Sequence, residues 1–414
     1  MTVHPFKLRW LLLGALLSSI GMSFIWPLTS VYLHNRLGIS LTTVGVVLLL
    51  NSLASVAGSF IAGLAYDKAN PYGLLLSGVG LALVTLVVLT VNHGWPVFAE
   101  LLVVLGVTSG WNLTLVNAIG TGIRGYDGRY VFNMLYFAQN LGVVAGTAIV
   151  GYVYHISVSL LFGIAAALFA FFMIVVAIAY RPISRPRGSR SHRPAATVAS
   201  SETDVSDTVE SPAPAPREPL PHINHIVLIA FFGALLIIWT MYQQWVSNLS
   251  VYMTDLGIPL SRYSLLWTLN AGLIVAVQAV LNALSRSGKH LINQVFFGIT
   301  MVALSFVVLI FAKTYPWFVL AMTVLTLGEA TAFPAIPALV NDLTPRALKG
   351  RYQGMVNAWA SAGRALGPLF GGAVIDATGY TTLFVIATTA VALVLLALAT
   401  LWLLVHHRLT IFTY

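Results

Sequence analysis

The sequence predicts an all-α membrane protein of twelve transmembrane helices, arranged as two six-helix bundles (6+6) with pseudo-two-fold symmetry. Three observations carry this reading. Of 414 residues, 58% are hydrophobic and 8% charged, and mean hydropathy is +0.88, whereas soluble domains carry about 25% charged residues. Apolar runs of roughly the 20 residues needed to cross a bilayer come as six, a polar gap, then six again. The second set also repeats short motifs of the first at an offset of about 220 residues.

The first six runs fall near 10–33, 43–66, 72–91, 96–119, 131–154 and 158–180. The second six fall near 225–253, 264–284, 291–312, 317–340, 352–375 and 381–405. The run from Trp10 to Leu33 is too long for a signal-peptide core and lacks a small-residue cleavage pattern, so it reads as a retained first helix. Residues 1–180 therefore make one bundle and 222–414 the other. Residues 181–221, rich in Pro, Ser, Ala and Arg without an apolar face, make a disordered tether.

Charge placement orients the chain. A formal net charge of +9 would suit nucleic acid in a soluble domain, but here the basic residues sort by side. With the N-terminus inside, the inner segments hold Lys7, Arg9, Lys68, Arg124, Arg129, Arg181, Arg185, Arg187, Arg190, Arg193, Arg217, Arg286, Lys289, Arg346, Lys349, Arg351 and Arg408. The outer segments hold Arg36, Arg262 and Lys313, and Arg364 lies within the eleventh run. Both termini are expected in the cytoplasm, with no nucleic-acid partner. The absence of cysteine excludes disulfides and thiol chemistry. No Ser/His/Asp, metal-ligand or phosphate-loop arrangement stands out, so an enzyme, a metal or an organic cofactor is not expected.

The repeat is specific. Ser30-Val-Tyr-Leu33 followed by Leu37-Gly-Ile-Ser-Leu41 answers Ser250-Val-Tyr-Met253 followed by Leu256-Gly-Ile-Pro-Leu260. Leu50-Asn51 answers Leu269-Asn270, and Gly128-Arg-Tyr130 answers Gly350-Arg-Tyr352. Two parallel six-helix repeats joined by a linker resemble the major facilitator superfamily over the whole length, where substrate sits at the midplane between halves.

Family motifs are present with departures. Gly63, Asp67 and Lys68, between the second and third runs, resemble the loop signature G-x-L-x-D-R-x-G-R-R, with Ala65, Asn70, Pro71 and Tyr72 departing from it. The resemblance implies a conformational gate, in which Asp67 clasps a neighbouring helix end or a cation such as Arg129. The alternative is an exposed pair worth under ~1 kcal/mol. Gly363, Gly367, Pro368, Gly371 and Gly372 match G-x-x-x-G-P-x-x-G-G, which antiporters of the superfamily carry on helix five. Close helix packing explains such spacing, and a hinge at Pro368 is the alternative. The fifth run has Thr147 at the proline position, and at the R-x-x-x-G spacing that drug antiporters carry on helix four this chain has Leu102 before Gly106 and Gly106 before Gly110, so that arginine is missing.

Glu329 lies near the middle of the run from Trp317 to Val340, followed by Pro334 and Pro337. A charged side chain at the bilayer centre costs roughly 2.5–3.5 kcal/mol on insertion scales, so such groups face a cavity or a partner. An acid in a helix that two prolines make breakable reads as a site that binds and moves, the alternative being a protonated interhelical hydrogen-bond partner. Arg364 either pairs with Glu329 and keeps it ionised, or leaves it isolated and suited to carry a proton. Neutral polar and aromatic side chains add a candidate cavity: Trp26, Asn112, Asn133, Tyr136, Gln139, Asn140, Tyr242, Gln243, Gln244, Asn248 and Trp359. Amides beside aromatic faces suit a bulky amphipathic ligand.

The segments Gly110-Trp-Asn-Leu, Val131-Phe-Asn-Met-Leu-Tyr136-Phe-Ala-Gln139-Asn140-Leu, Leu327-Gly-Glu329 and Gly350-Arg-Tyr-Gln-Gly354 are similar to LmrP-type multidrug/proton antiporters. That resemblance implies a monomeric secondary transporter exporting small hydrophobic compounds in exchange for protons, with the proton gradient as energy source. It carries a cavity role to Glu329, while two further family acids fall at about Leu135 and Val246 and are absent. A proton-coupled carrier of a specific sugar, amino acid or lipid is the rival expectation.

Overall fold

The computed structural model describes residues 6–120, 123, 128–154, 156–183, 220–284, 291–345 and 348–412. Side chains at 26, 27, 67, 128, 129, 132, 133, 136, 279, 282–284 and 350 lie outside the described set, as does most of the expected tether. The chain is helical throughout the described crossings. The first crossing is built from α1 (Leu8–Ser23), α2 (Trp26–Val31) and a π-helical turn (Tyr32–Arg36). It is followed by α3 (Leu41–Lys68), α4 (Pro71–Val91), α5 (Val97–Gly120), α6 (Gly128–Val153) and α7 (Val158–Ala179). The second set begins with α8 (His222–Ser247) and α9 (Leu249–Asp255), which share one crossing. Then come α10 (Leu260–Leu284), α11 (Leu291–Phe311), α12 (Tyr315–Asp342), α13 (Lys349–Thr378) and α14 (Tyr380–Val405).

Local sequence explains the helix ends. Ser40 caps α3 by accepting from Thr43 N, and Ser157 caps α7 by accepting from Leu160 N. Asn70 caps α4 through Tyr72 N with Pro71 just inside the helix, so the residues that depart from the loop signature form a helix start. Both copies of the repeated Leu-Gly-Ile place glycine in the left-handed region, Gly38 at φ 68° and Gly257 at φ 78°. Ile39 N then returns to Leu33 O at 2.9 Å, and Ile258 N to Met253 O at 2.9 Å. A side chain at either glycine would strain this turn.

Ten of the crossings are long and apolar enough to span a membrane by length and composition. The remaining two, α6 and α13, are 26 and 30 residues long but carry more polar side chains. These are the helices that join the two sets: α13 packs on both α3 and α8, and α6 on both α1 and α10. Their polarity follows from facing protein on several sides rather than lipid. By contrast α14 turns Leu393, Leu396, Leu403 and Leu404 outward, all well exposed. Each set has its own aromatic core, Phe98, Phe162, Phe169 and Phe172 in the first and Phe231, Phe306, Phe318 and Trp245 in the second, all sealed from solvent.

Small residues set the closest helix approaches. A Cβ on Gly58, Gly106 or Gly110 would collide with backbone across the α3–α5 seam. Gly363 and Gly367 do the same for α13 against α8, while Gly372 meets Leu41 at the start of α3. The helix-eleven glycine motif is therefore a packing surface.

Pro334 and Pro337 make α12 a breakable helix by sequence, and in this structure it runs unbroken through both. Pro334 has no N–H to offer the carbonyl four residues back, at Ala330. The Gln278 side chain on α10 supplies the missing donor, Nε2 to Ala330 O at 2.7 Å. Gln278→Leu is expected to lower stability by about 1 kcal/mol, read as a lower thermal midpoint in detergent. An unchanged midpoint would refute the replacement of the backbone donor.

Candidate functional site

Glu329 sits halfway along α12 and is partly accessible. Its Oε2 accepts from Asn270 Nδ2 on α10 at 2.8 Å. The same amide donates to Thr326 Oγ1 at 2.9 Å, whose hydroxyl is itself spent on Met322 O at 2.7 Å. Because Thr326 must therefore accept, the Asn270 NH2 group is fixed toward the carboxylate. The buried Tyr242 hydroxyl on α8 faces the same carboxyl group. Asn270 is the repeat partner of Asn51, which crosses the equivalent seam to Leu102 O at 2.6 Å. One copy of the repeat thus holds a backbone carbonyl and the other an acid.

Arg364 does not pair with Glu329. Its Nη2 donates to Ser361 Oγ at 2.8 Å, and its guanidinium lies 4.5 Å from the centre of the Trp239 ring. Trp239 packs on Phe333 at 4.5 Å and Tyr242 at 5.1 Å between ring centres. An aromatic cluster therefore separates the cation from the acid. Sequence reasoning misses Trp239, Phe333, Ser361 and Asn270 as site residues. The Leu-Asn repeat is a signal for Asn270, and none points to the others.

The first set contributes a neutral wall. A cavity of about 330 Å³ is lined by Ser18 and Ser19 of α1, Asn112 of α5 and Gln139 and Asn140 of α6, among others. The expected cavity residues Asn112, Gln139 and Asn140 meet here. Gln244 and Asn248 are placed elsewhere: Gln244 Nε2 donates to Gly367 O at 2.8 Å, and Asn248 donates to Gln244 Oε1 at 2.6 Å. Both are buried at the α8–α13 seam, and Gln243 packs on Gly367 at the same seam. Trp359 is 38% exposed on α13. Trp26, Asn133, Tyr136, Asp67 and Arg129 have side chains outside the described residues; Gly63 lies on α3, and Lys68 ends it, exposed.

At the end of the bundle remote from the termini the two sets are joined directly. Asn35 donates to Thr254 Oγ1 at 3.0 Å and to Asp255 Oδ1 at 3.4 Å. Asp376 on α13 accepts from Leu41 N at 3.2 Å, Thr42 N at 2.7 Å and Thr42 Oγ1 at 2.6 Å. A carboxylate thus caps the start of α3 from the other half of the chain, where the helix dipole favours negative charge. Asp376→Asn is expected to weaken this junction by roughly 1–2 kcal/mol. Spin labels at Ile156→Cys and Phe311→Cys, both exposed and in a chain without native cysteine, would report a broader and longer distance distribution. An unchanged distribution would show that Asp376 does not hold the junction.

Comparison with known proteins follows the same lines. The sequence profile described as Major Facilitator Superfamily matches residues 11–304 and 293–411. The chain is 36% identical to the uncharacterized MFS-type transporter YttB of Bacillus subtilis (strain 168) over 399 residues, 96% of this chain and 94% of that protein. It is 24% identical to the uncharacterized MFS-type transporter YqjV of the same organism over 386 residues, 91% and 88% of the two chains. Among solved structures, the nucleoside transporter NupG matches with TM-score 0.76 at 14% identity, covering 95% of this chain and 99% of that one. A peptide transporter POT matches with TM-score 0.75 at 16% identity, covering 98% and 95%. At such identities the structural likeness is one of fold. The twelve crossings, the internal repeat and the whole-length matches together place this chain in the Major Facilitator Superfamily, as a multi-pass membrane transporter.

Proposed function

We propose that the protein is a proton-coupled exporter of small hydrophobic or amphipathic compounds, of the drug:proton antiporter type, in the bacterial plasma membrane. The observation that carries this reading is Glu329, a partly accessible mid-helix acid whose Oε2 accepts from Asn270. A proton on Oε1 leaves that bond intact, so the group can gain and lose it without releasing Asn270. The residue-for-residue similarity around Leu327-Gly-Glu329 supports the antiporter class.

In this reading the bundles 1–180 and 222–414 rock about the midplane, tethered by 181–221, with both termini cytoplasmic. The compound binds between the neutral wall of α1, α5 and α6 and the aromatic wall of α8 and α12. Proton and compound then compete for the inward- and outward-open states, and coupling requires differential affinity alone. A proton crossing 100 mV supplies ~2.3 kcal/mol from the electrical term. The protein acts as a monomer and uses no cofactor beyond the proton gradient.

The test is uptake of a hydrophobic dye into inside-out vesicles with an imposed proton gradient. Uptake that follows the gradient and collapses with a protonophore supports the reading. Absence of uptake for every dye would replace it with a carrier of a specific solute on the same fold.

A further inference from the structure

We propose that Arg364 is an anion-recognition residue in the cleft between the two halves, and that the transported compounds carry a carboxylate or similar oxyanion beside an apolar body. This rests on reading that cleft as the substrate chamber.

The first support is position. On α13, Gly363 and Gly367 face α8, while Pro368 and Gly372 face α3 of the other half. At about 100° per residue, Arg364 points between these two faces, toward the cleft between the halves. Its flat face is covered by Trp239 and one nitrogen is spent on Ser361. A guanidinium has five donor hydrogens in a planar fork matched to carboxylate. Arg364 as a whole is only partly buried.

The second support is an inventory of counter-charges. The chain has twelve acids. Glu202, Asp204, Asp207, Glu210 and Glu218 lie in the expected tether, Asp67 and Asp342 lie at the end that holds the termini, and Asp127 falls in the sequence between α5 and α6. Glu100, Asp255 and Asp376 lie at the remote end. That leaves Glu329, which Asn270 and Tyr242 hold on the far side of the aromatic cluster. No rocking of one half against the other brings an end-of-helix acid to mid-depth. A cation at that depth without a protein carboxylate takes its counter-ion from what enters the cavity. Trp239, which lies against it, and Phe333, which packs on Trp239, are partly exposed and supply the apolar surface for the rest of the molecule.

The experiment is equilibrium binding of three matched probes, 1-naphthoate, 1-naphthamide and 1-naphthylmethylammonium, to the full chain in phosphatidylcholine nanodiscs. The native chain is expected to prefer naphthoate over naphthamide by about tenfold, the range of one charge-assisted bidentate contact. Arg364→Gln is expected to erase that preference while keeping naphthamide affinity, which also certifies that the variant is folded. Arg364→Lys keeps charge but loses the fork, and is expected to retain about a third of the preference.

Equal binding of naphthoate and naphthamide by the native chain, preference for the ammonium probe, binding of none, or a preference that survives Arg364→Gln would each overturn the proposal. Adding phosphatidylglycerol distinguishes the source of the anion: competition by it against naphthoate would overturn the assignment to a transported compound in favour of a lipid headgroup. Gradient-driven uptake is a separate readout. If it persists while the charge preference is absent, the anion inference fails and the exporter reading stands. If the preference is present while uptake is absent, anion recognition stands and the exporter reading fails.

Discussion

Glu329→Gln is expected to abolish gradient-driven transport, with a loss of at least about a hundredfold in the initial rate. The substitution preserves length and volume, and the amide oxygen can still accept from Asn270 Nδ2. What disappears is the exchangeable proton. Ligand binding is expected to stay within a few-fold of the native value, and the thermal midpoint within a few degrees, because the Asn270–Thr326 support is unchanged. The distinguishing readout is pH dependence. Binding by the native chain should vary with pH through competition at this carboxyl group, and binding by the variant should be flat. Full gradient-driven uptake by Glu329→Gln would move proton coupling elsewhere, with Asp67 and Glu100 the next groups to replace.

Gly45→Leu is expected to be equally severe for transport but through geometry. A Cβ at Gly45 would meet the Pro368 carbonyl and the Leu369 backbone of α13, and backbone cannot yield as a side chain can. The clash lies between the two halves rather than inside either one. Each set should therefore still fold, and the remote end should fail to close. Labels at Ile156→Cys and Phe311→Cys should show the short-distance population of the native chain lost, with transport falling below detection. Gly110→Leu provides the contrast, because that glycine presses on Ser55 O within the first set. There the expected outcome is loss of folded protein. A Gly45→Leu chain that closes and transports normally would remove the remote-end junction from the mechanism.

Several features of this chain are legible in its amino-acid sequence alone. Ends of the twelve crossings fall within a few residues of the apolar runs, because a polar turn at the membrane surface is a strong linear signal. The repeated Leu-Gly-Ile anticipates the paired left-handed turns at Gly38 and Gly257, since glycine alone adopts that backbone without strain. Glu329 stands out for the same kind of reason: one acid in a long apolar run is visible without knowing what surrounds it. The polarity of α6 and α13 marks them as helices that lipid does not surround.

The partners of these groups were decided by the tertiary structure. In a membrane the lipid is as apolar as the core, so hydropathy does not say which face of a helix turns inward. Gln244 and Asn248 share a helical crossing with Tyr242, yet they point into the α8–α13 seam while Tyr242 meets Glu329. Arg364 and Glu329 lie on consecutive crossings, and their separation by Trp239 and Phe333 depends on helix rotation that linear spacing leaves open. Pro334 marks a place where a helix can break, and Gln278, more than fifty residues away in sequence, holds it straight. Composition and periodicity determined how many times this chain crosses the membrane and where its isolated charge lies. The rotation of each helix about its axis, set by glycine contacts and interhelical hydrogen bonds, decided what that charge faces.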